Sequence, residues 1–421
     1  MTLALPDGPV RLTNATVPAC LLGQPGDLFH LDLTLAGSRI VAETTGAATV
    51  DLQGGMVLPC FVDMHTHLDK GQIWGRSPNP DGTFMGALGA AGADRERHWS
   101  AADLRRRMDF SLRTAFAHGT RAIRTHLDSI PPQDSISWPI FSDLRQEWAG
   151  RIDLQAASLA GCDMAFEPAF TTLADRVAAH RGTLGLFTYP MPDMPARLRH
   201  FFRLAAERGL DADFHADETM DPTVNTLAQI AEAALETGFI GRIVAGHCCS
   251  LSTMPEGEAL HTLDLCAKAG IGIVSLPMCN LYLQDRHAAR TPRNRGITLV
   301  HEARARGIPV AFASDNTRDP FYAYGDLDMV EVLREATRIA HLDHSATDWV
   351  QSVLTAPAAM CGFPTPSLAP GAAADLVIFR ARNWTELFSR PQSDRTVLRG
   401  GRPIDRTLPD YADLDDLMRT A

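Results

Sequence analysis

A chain of 421 residues is two to three times the usual domain size, long enough for one large barrel carrying an accessory module. Its 45% hydrophobic and 21% charged residues are the balance of a globular protein, not of a disordered or fibrous one. The net charge of −11 argues against nucleic acid or an anionic membrane as the main partner and leaves a small neutral substrate open.

Residues 1–10 contain Asp7 and two prolines with neither a basic start nor an apolar run, so no secretory signal is expected. No apolar stretch approaches the roughly 20 residues of a membrane span. A cytoplasmic protein is the expectation. Eight cysteines in a chain of this length have neither the density nor the spacing of a disulfide framework and are expected to be reduced thiols.

Residues 10–57 give short alternating segments such as Arg11-Leu12-Thr13-Asn14-Ala15-Thr16-Val17, broken by Gly and Pro, which predict a small β module. After Cys60, apolar runs of four to six residues alternate with amphipathic stretches of about 15, the pattern of repeated βα units. The spacing predicts a helix over Ala101–His118, with Ser100 as N-cap, Leu104, Met108, Leu112 and Ala115 on one face, and Gly119 to stop it. Strands are predicted near residues 61–63 and over 122–126, 153–157, 184–187, 211–215, 242–246, 272–276 and 310–313. Eight such units favour a closed (β/α)8 barrel over an open sheet. Beyond about Gly362 the pattern returns to short β segments, at residues 370–378 and 396–401, expected to pair with the N-terminal ones. The expected division is a small discontinuous β-sandwich domain from residues 1–57 and 363–421, around a catalytic barrel of residues 58–362.

Phe61-Val62-Asp63-Met64-His65-Thr66-His67 is an apolar strand ending in His-x-His. Strand side chains two apart point the same way, and at the C-terminal end of a barrel strand that way is into the active-site mouth. His215, His247 and Asp315 each follow an apolar run in the same manner, so ligand-type residues stand at four of eight strand ends. Three neutral imidazoles and a carboxylate suit one Zn2+ or Fe2+ better than Mg2+ or Ca2+. Such an ion leaves room for a water and lowers its pKa toward neutrality, which supplies a nucleophile. Glu218, three residues after His215, is placed to act as general acid/base; its alternative is a solvated loop carboxylate. His247 has two readings: partner of the attacking water, which is preferred, or fourth imidazole ligand.

With those motifs in hand, the chain resembles the amidohydrolase superfamily and, within it, the cytosine deaminase-like branch. The resemblance runs nearly end to end, through Leu58-Pro59-Cys60-Phe61-Val62-Asp63-Met64-His65-Thr66-His67-Leu68-Asp69, His215-Ala216-Asp217-Glu218, Asn280-Leu281-Tyr282-Leu283-Gln284, Ser314-Asp315-Asn316 and Asp319-Pro320-Phe321-Tyr322. It implies metal ligands His65, His67, His215 and Asp315, a proton shuttle at Glu218, His247 orienting the water and Asp315 taking its proton. It also implies a homo-oligomer. Lys70 is off the strand-4 position of a carboxylated bridging lysine, which favours one metal per chain.

Two departures limit the substrate. Where cytosine deaminases carry a glutamine that reads the pyrimidine's amide edge, Gly161 stands here, and Gln155 lies too early on its strand to replace it. Asn316 replaces a second aspartate, and Phe321 an expected tryptophan. A site that loses a substrate hydrogen bond changes its selectivity strongly. The expectation is therefore hydrolytic deamination of a small nitrogen heterocycle, a cytosine-like free base or related cyclic amidine, since no phosphate cradle is visible. Asp315-Asn316 with Arg318-Asp319 also resembles the N-alkylammelide amidohydrolases, so loss of an alkylamine, or opening of a cyclic amide, is the alternative; a non-catalytic metal-binding protein is the remaining one.

Asn316, Phe321, Trp74, Phe84 and Gln284 are taken as substrate contacts, with Tyr282 as a further aromatic at the mouth. His126 and Asp128 are read as groups that position a ligand or as buried hydrogen-bonded residues. Cys248-Cys249 is read as packing rather than thiolate ligation, and Arg290, Arg293 and Arg295 as a solvated face or a cap on an anionic substrate.

Overall fold

The computed structural model describes residues 3–391 and 394–419. Eight parallel strands close into a barrel. The first, Phe61–Thr66, pairs with the second, Thr120–Asp128, and that with the third, Asp153–Leu159. Bridges Ala157–Thr183 and Gly161–Phe187 join the third to the fourth, Leu184–Phe187. The fifth to eighth, Ala212–Ala216, Ile243–His247, Ile271–Ser275 and Val310–Phe312, continue the ladder. A Thr66–Asp315 bridge returns the eighth to the first. This is the expected (β/α)8 architecture, with strand ends within two residues of those predicted for seven strands and the first extending three residues further, to Thr66.

The helix Ala101–His118 has its predicted bounds: the Ser100 hydroxyl accepts from the Asp103 N–H at 3.3 Å, and Gly119 follows as the cap. Its buried Leu104, Met108 and Leu112 join one continuous core with Phe141, Phe201 and Ile230 of other helices and Ile123, Phe214 and Phe312 of the strands. Burying each such side chain is worth about 1.5–3 kcal/mol, so the helical layer holds the strands and, through them, the strand ends that carry the site.

Among the described residues, two four-stranded sheets lie outside the barrel. One orders Arg39–Val41, Leu28–Ala36, Val10–Pro18 and Ala48–Asp51; the other orders Arg402–Pro403, Thr396–Arg399, Leu376–Ile378 and Val57–Pro59. N- and C-terminal segments pair as expected, Leu376 opposite Pro59 and Ile378 opposite Val57. Leu12, Val17 and Leu35 of the first sheet meet Val57, Leu376 and Leu398 of the second in a separate apolar core. We propose that residues 1–57 with 363–421, and residues 58–362, are the two units of the fold. Residues 1–2, at the start of the stretch read for a secretory signal, together with 392–393 and 420–421, lie outside the described residues. Among the described residues no helix is long and apolar enough to cross a membrane.

Candidate active site

The first strand delivers His65 and, one residue past its end, His67; the fifth and sixth deliver His215 and His247; Asp315 follows the eighth. All five are buried, none more than 5% exposed. Asp315 Oδ1 lies 3.3 Å from His67 Nε2 and 3.7 Å from His65 Nε2, and the Nε2 atoms of His67 and His215 are 3.3 Å apart. Donor atoms of His65, His67, His126 and His215 all lie within 4.8 Å of one another, as do those of His65, His247 and Asp315.

Backbone geometry aims these groups. His247 and Asp315 have φ of 69° and 60°, left-handed values that non-glycine residues adopt only when their surroundings hold them there. For Asp315 the hold is visible: its N–H donates to the His65 carbonyl at 2.9 Å, and the Thr66 hydroxyl donates to the Asp315 carbonyl at 2.9 Å. Next to it, the Asp63 carboxylate accepts from the Ser314 N–H and hydroxyl. Gly246 lets a ring approach: a Cβ there would stand 2.7 Å from His65 Cε1.

Burial, reinforced by neighbouring imidazoles, holds His65, His67 and His215 well below the ordinary histidine range, so they are neutral and keep a lone pair for a cation. Burial likewise takes His247 down to about 3 and Asp315 up to about 7. Both ring nitrogens of His65, Nε2 of His247 and both Asp315 oxygens have no hydrogen-bond partner among the described residues. Leaving such buried atoms unmatched costs about 1–3 kcal/mol each, and a divalent cation satisfies imidazole and carboxylate donors together, so the residues fit a metal ion.

Burial, with Asp315 adding to it, pushes the Glu218 carboxyl well above the usual range, which favours the protonated acid. Its Oε1 lies 3.3 Å from His247 Nδ1. Sequence reasoning did not single out Asn280, on the short helix Pro277–Leu283 that follows the seventh strand: its Nδ2 is 3.0 Å from His247 Nδ1 and 3.4 Å from Glu218 Oε1. The available signal was a polar residue one turn beyond a buried strand end, inside the Asn-Leu-Tyr-Leu-Gln motif.

A cavity of about 460 Å³ opens over this cluster and is lined by His67, His215, Glu218 and His247. Phe84, Phe321 and Asn316 line it, as does Gly161. Phe84 stacks on Phe187, centroids 6.0 Å apart, and meets Phe321 edge-on at 5.6 Å, forming an aromatic wall suited to a flat ring. A Cβ on Gly161 would stand 2.3 Å from Asp163 Oδ1, so Asp163 occupies the space a glutamine side chain would need. Lys70, read only as a loop residue, pairs with Asp128 at 3.1 Å, and Arg95 reaches the same carboxylate at 2.9 Å; all three line the cavity.

The other expected contacts fall elsewhere. Trp74 is outside the cavity lining, where its loop is pinned by its N–H donating to the Arg318 carbonyl at 2.8 Å. Gln284 is also outside it and donates to the Glu218 carbonyl at 3.2 Å, behind the acid. Tyr282 packs edge-on against Tyr322 and Tyr324. His126 stands inside the imidazole cluster, 4.0 Å between ring centroids from His65, with Nε2 on Asp213 at 2.9 Å. Cys248 and Cys249 are buried thiols whose pKa burial pushes well up, in keeping with packing. Arg290 pairs with Asp285, and Arg295 donates to the Ile339 carbonyl, away from the cavity.

Comparison with known proteins places this geometry. The chain is 54% identical over 420 residues to a pterin deaminase of Rhizobium rhizogenes, covering 97% of this chain and 96% of that one. It is 24% identical to N-isopropylammelide isopropyl amidohydrolase of a Pseudomonas species, over 71% of this chain and 74% of the relative. It shares its fold with 5-methylcytosine deaminase from Klebsiella pneumoniae, at a TM-score of 0.79 and 24% identity, covering 95% of this chain and 98% of that one. The profile of the Amidohydrolase family matches residues 48–128 and 162–405, and to that family the chain belongs.

Proposed function

We propose that this amidohydrolase hydrolytically deaminates a pterin, converting the 2-amino-4-oxopteridine ring to its 2,4-dioxo form with release of ammonia. The observation that carries the reading is the 54% identity with a pterin deaminase across nearly the whole of both chains. The cavity supports it: Gly161 leaves no amide to read a pyrimidine, and the wall of Phe84, Phe187 and Phe321 suits a flat bicyclic ring.

His65, His67, His215 and Asp315 would hold one Zn2+ or Fe2+ per chain. Bound there, the ion would supply a Lewis acid that polarises a water and lowers its pKa toward neutrality. Asp315 takes a proton from the attacking water and passes it to the departing amine. Glu218, held protonated by its burial, gives its proton to the ring nitrogen beside C2 and recovers one from the new C2 hydroxyl, leaving a carbonyl. His247 directs a ring N–H at the oxygen that joins C2. Asn316, Phe84 and Phe321 position the ring.

The test is ammonia release, with the accompanying ultraviolet change, from pterins by zinc-loaded and iron-loaded enzyme. Cytosine, an N-alkylammelide and a cyclic amide serve as competitors. Turnover of the pterin is expected; alkylamine release from the ammelide with silence on every pterin would replace this reading by the alkylamine one that the Pseudomonas relative favours.

A further inference from the structure

Asn280 and His247 raise a question that the ligand set does not answer, which is how an imidazole among metal-binding imidazoles stays free to donate. A neutral imidazole carries one proton: with it on Nε2 the ring donates from that end, and with it on Nδ1 the Nε2 lone pair is free to bind a cation. His247 Nδ1 is 3.0 Å from Asn280 Nδ2, and Glu218 Oε1 is 3.4 Å from the same nitrogen. An amide NH2 has two protons, and both are matched here, one to each acceptor. Turning the amide over would leave two N–H donors in the place now held by Oδ1, which has no partner among the described residues. Nδ1 of His247 is thereby an acceptor, and its proton sits on Nε2.

We propose that Asn280 is the positioning residue that fixes the tautomer of His247, keeping it a hydrogen-bond donor to the reacting oxygen rather than a further metal ligand. The inference rests on the reading of His247 as partner of the attacking water, but not on the identity of the heterocycle. The Gln284 amide, donating to the backbone carbonyl of Glu218 at 3.2 Å, ties down the main chain of the residue whose side chain shares Asn280 with His247. Removing the Asn280 amide frees Nδ1 to take the proton and donate it to Glu218 Oε1, 3.3 Å away.

Nitrogen NMR of zinc-loaded enzyme labelled with 15N-histidine reads the tautomer directly and needs no substrate. The His247 resonances are assigned by their loss in His247→Asn. Wild-type enzyme is expected to show a pyridine-like Nδ1 and a pyrrole-like Nε2. Asn280→Asp, which offers only acceptors, is expected to reverse the two and to tighten zinc retention against a chelator. It should also lower kcat on whichever ring is accepted by about 10²-fold with little change in KM, the usual cost of one lost donor to a developing oxyanion. Asn280→Ala is the second variant should the aspartate fail to fold, with the same reversal expected. A pyrrole-like Nδ1 in wild type, or a tautomer that neither variant changes, overturns the proposal. Failure of pterins as substrates with the tautomer as expected would overturn the proposed substrate and leave this inference standing.

Discussion

The Asp63 carboxylate accepts two hydrogen bonds from Ser314, 3.1 Å from its N–H and 2.5 Å from its hydroxyl, across the seam where the eighth barrel strand returns to the first. Both residues are within 2% of full burial and lie next to or near proposed ligands, Ser314 beside Asp315 and Asp63 two before His65. Asp63→Ala strands two buried donors and is expected to cost about 2–4 kcal/mol of stability. The same change frees the backbone that aims Asp315. Urea unfolding with metal analysis on one preparation checks both effects; unchanged stability and full metal content would show that the seam closes without this pair.

Gly246 makes a sharper prediction, because its effect is confined to the site. A methyl group there would sit 2.7 Å from His65 Cε1 and 2.9 Å from Nδ1, inside van der Waals contact, and the ring must turn away. Gly246→Ala is expected to fold but to bind zinc about 10–100-fold more weakly, the cost of disturbing a ligand's orientation. Competition with a chelating dye measures this, and circular dichroism checks the fold.

How much of this was open to the sequence depends on whether a property is local. His-x-His after Phe61-Val62-Asp63-Met64 could be read because alternation along one strand fixes the relation of its side chains, and His215, His247 and Asp315 could be read because an apolar run ended at or just before each. The eight strands followed from the same periodicity. What was not legible arises where the chain leaves its strands: the left-handed backbone at His247 and Asp315 turns those groups by an amount no pattern announces. Asn280 meets His247 across 33 positions and Lys70 meets Asp128 across 58, each through loop paths that pattern does not encode. Trp74, an aromatic read as a wall for a flat ring, stands outside the cavity lining, on a loop whose N–H donates to the Arg318 carbonyl.

Gly161 carries the prediction on substrate choice. Gly161→Gln puts a side chain where Asp163 Oδ1 now stands, 2.3 Å from the new Cβ, and crowds the end of the cavity that a second ring needs. Pterin turnover is expected to fall by at least about tenfold in kcat/KM, since a misplaced ring loses its alignment with the reacting groups. Cytosine is expected to lose far less, or to gain. Paired measurements on both rings decide it; equal losses would mean that Gly161 governs folding of the loop rather than choice of ring.

Acid stability turns on a pair far from the chemistry. Burial pushes the Asp328 carboxyl up, but the Arg395 guanidinium, 2.7 Å away at Nη1, outweighs it and holds the carboxyl well below the usual range. The sign follows from linkage: a folded value below the unfolded one, about 3.9, means the pair stabilises the fold in full above that pH and loses its contribution as pH falls through the folded value. Asp328→Asn takes a carboxylate charge away from Arg395, whose side chain is 1% exposed, and is expected to cost about 3–5 kcal/mol at pH 7. Below about pH 4 the gap between wild type and variant should narrow by roughly 1.4 kcal/mol per pH unit. Urea midpoints between pH 7 and pH 3 follow the narrowing. A gap that stays constant through that range would mean Asp328 titrates alike in both states, and that Arg395 holds the segment by its bond to the His118 carbonyl instead.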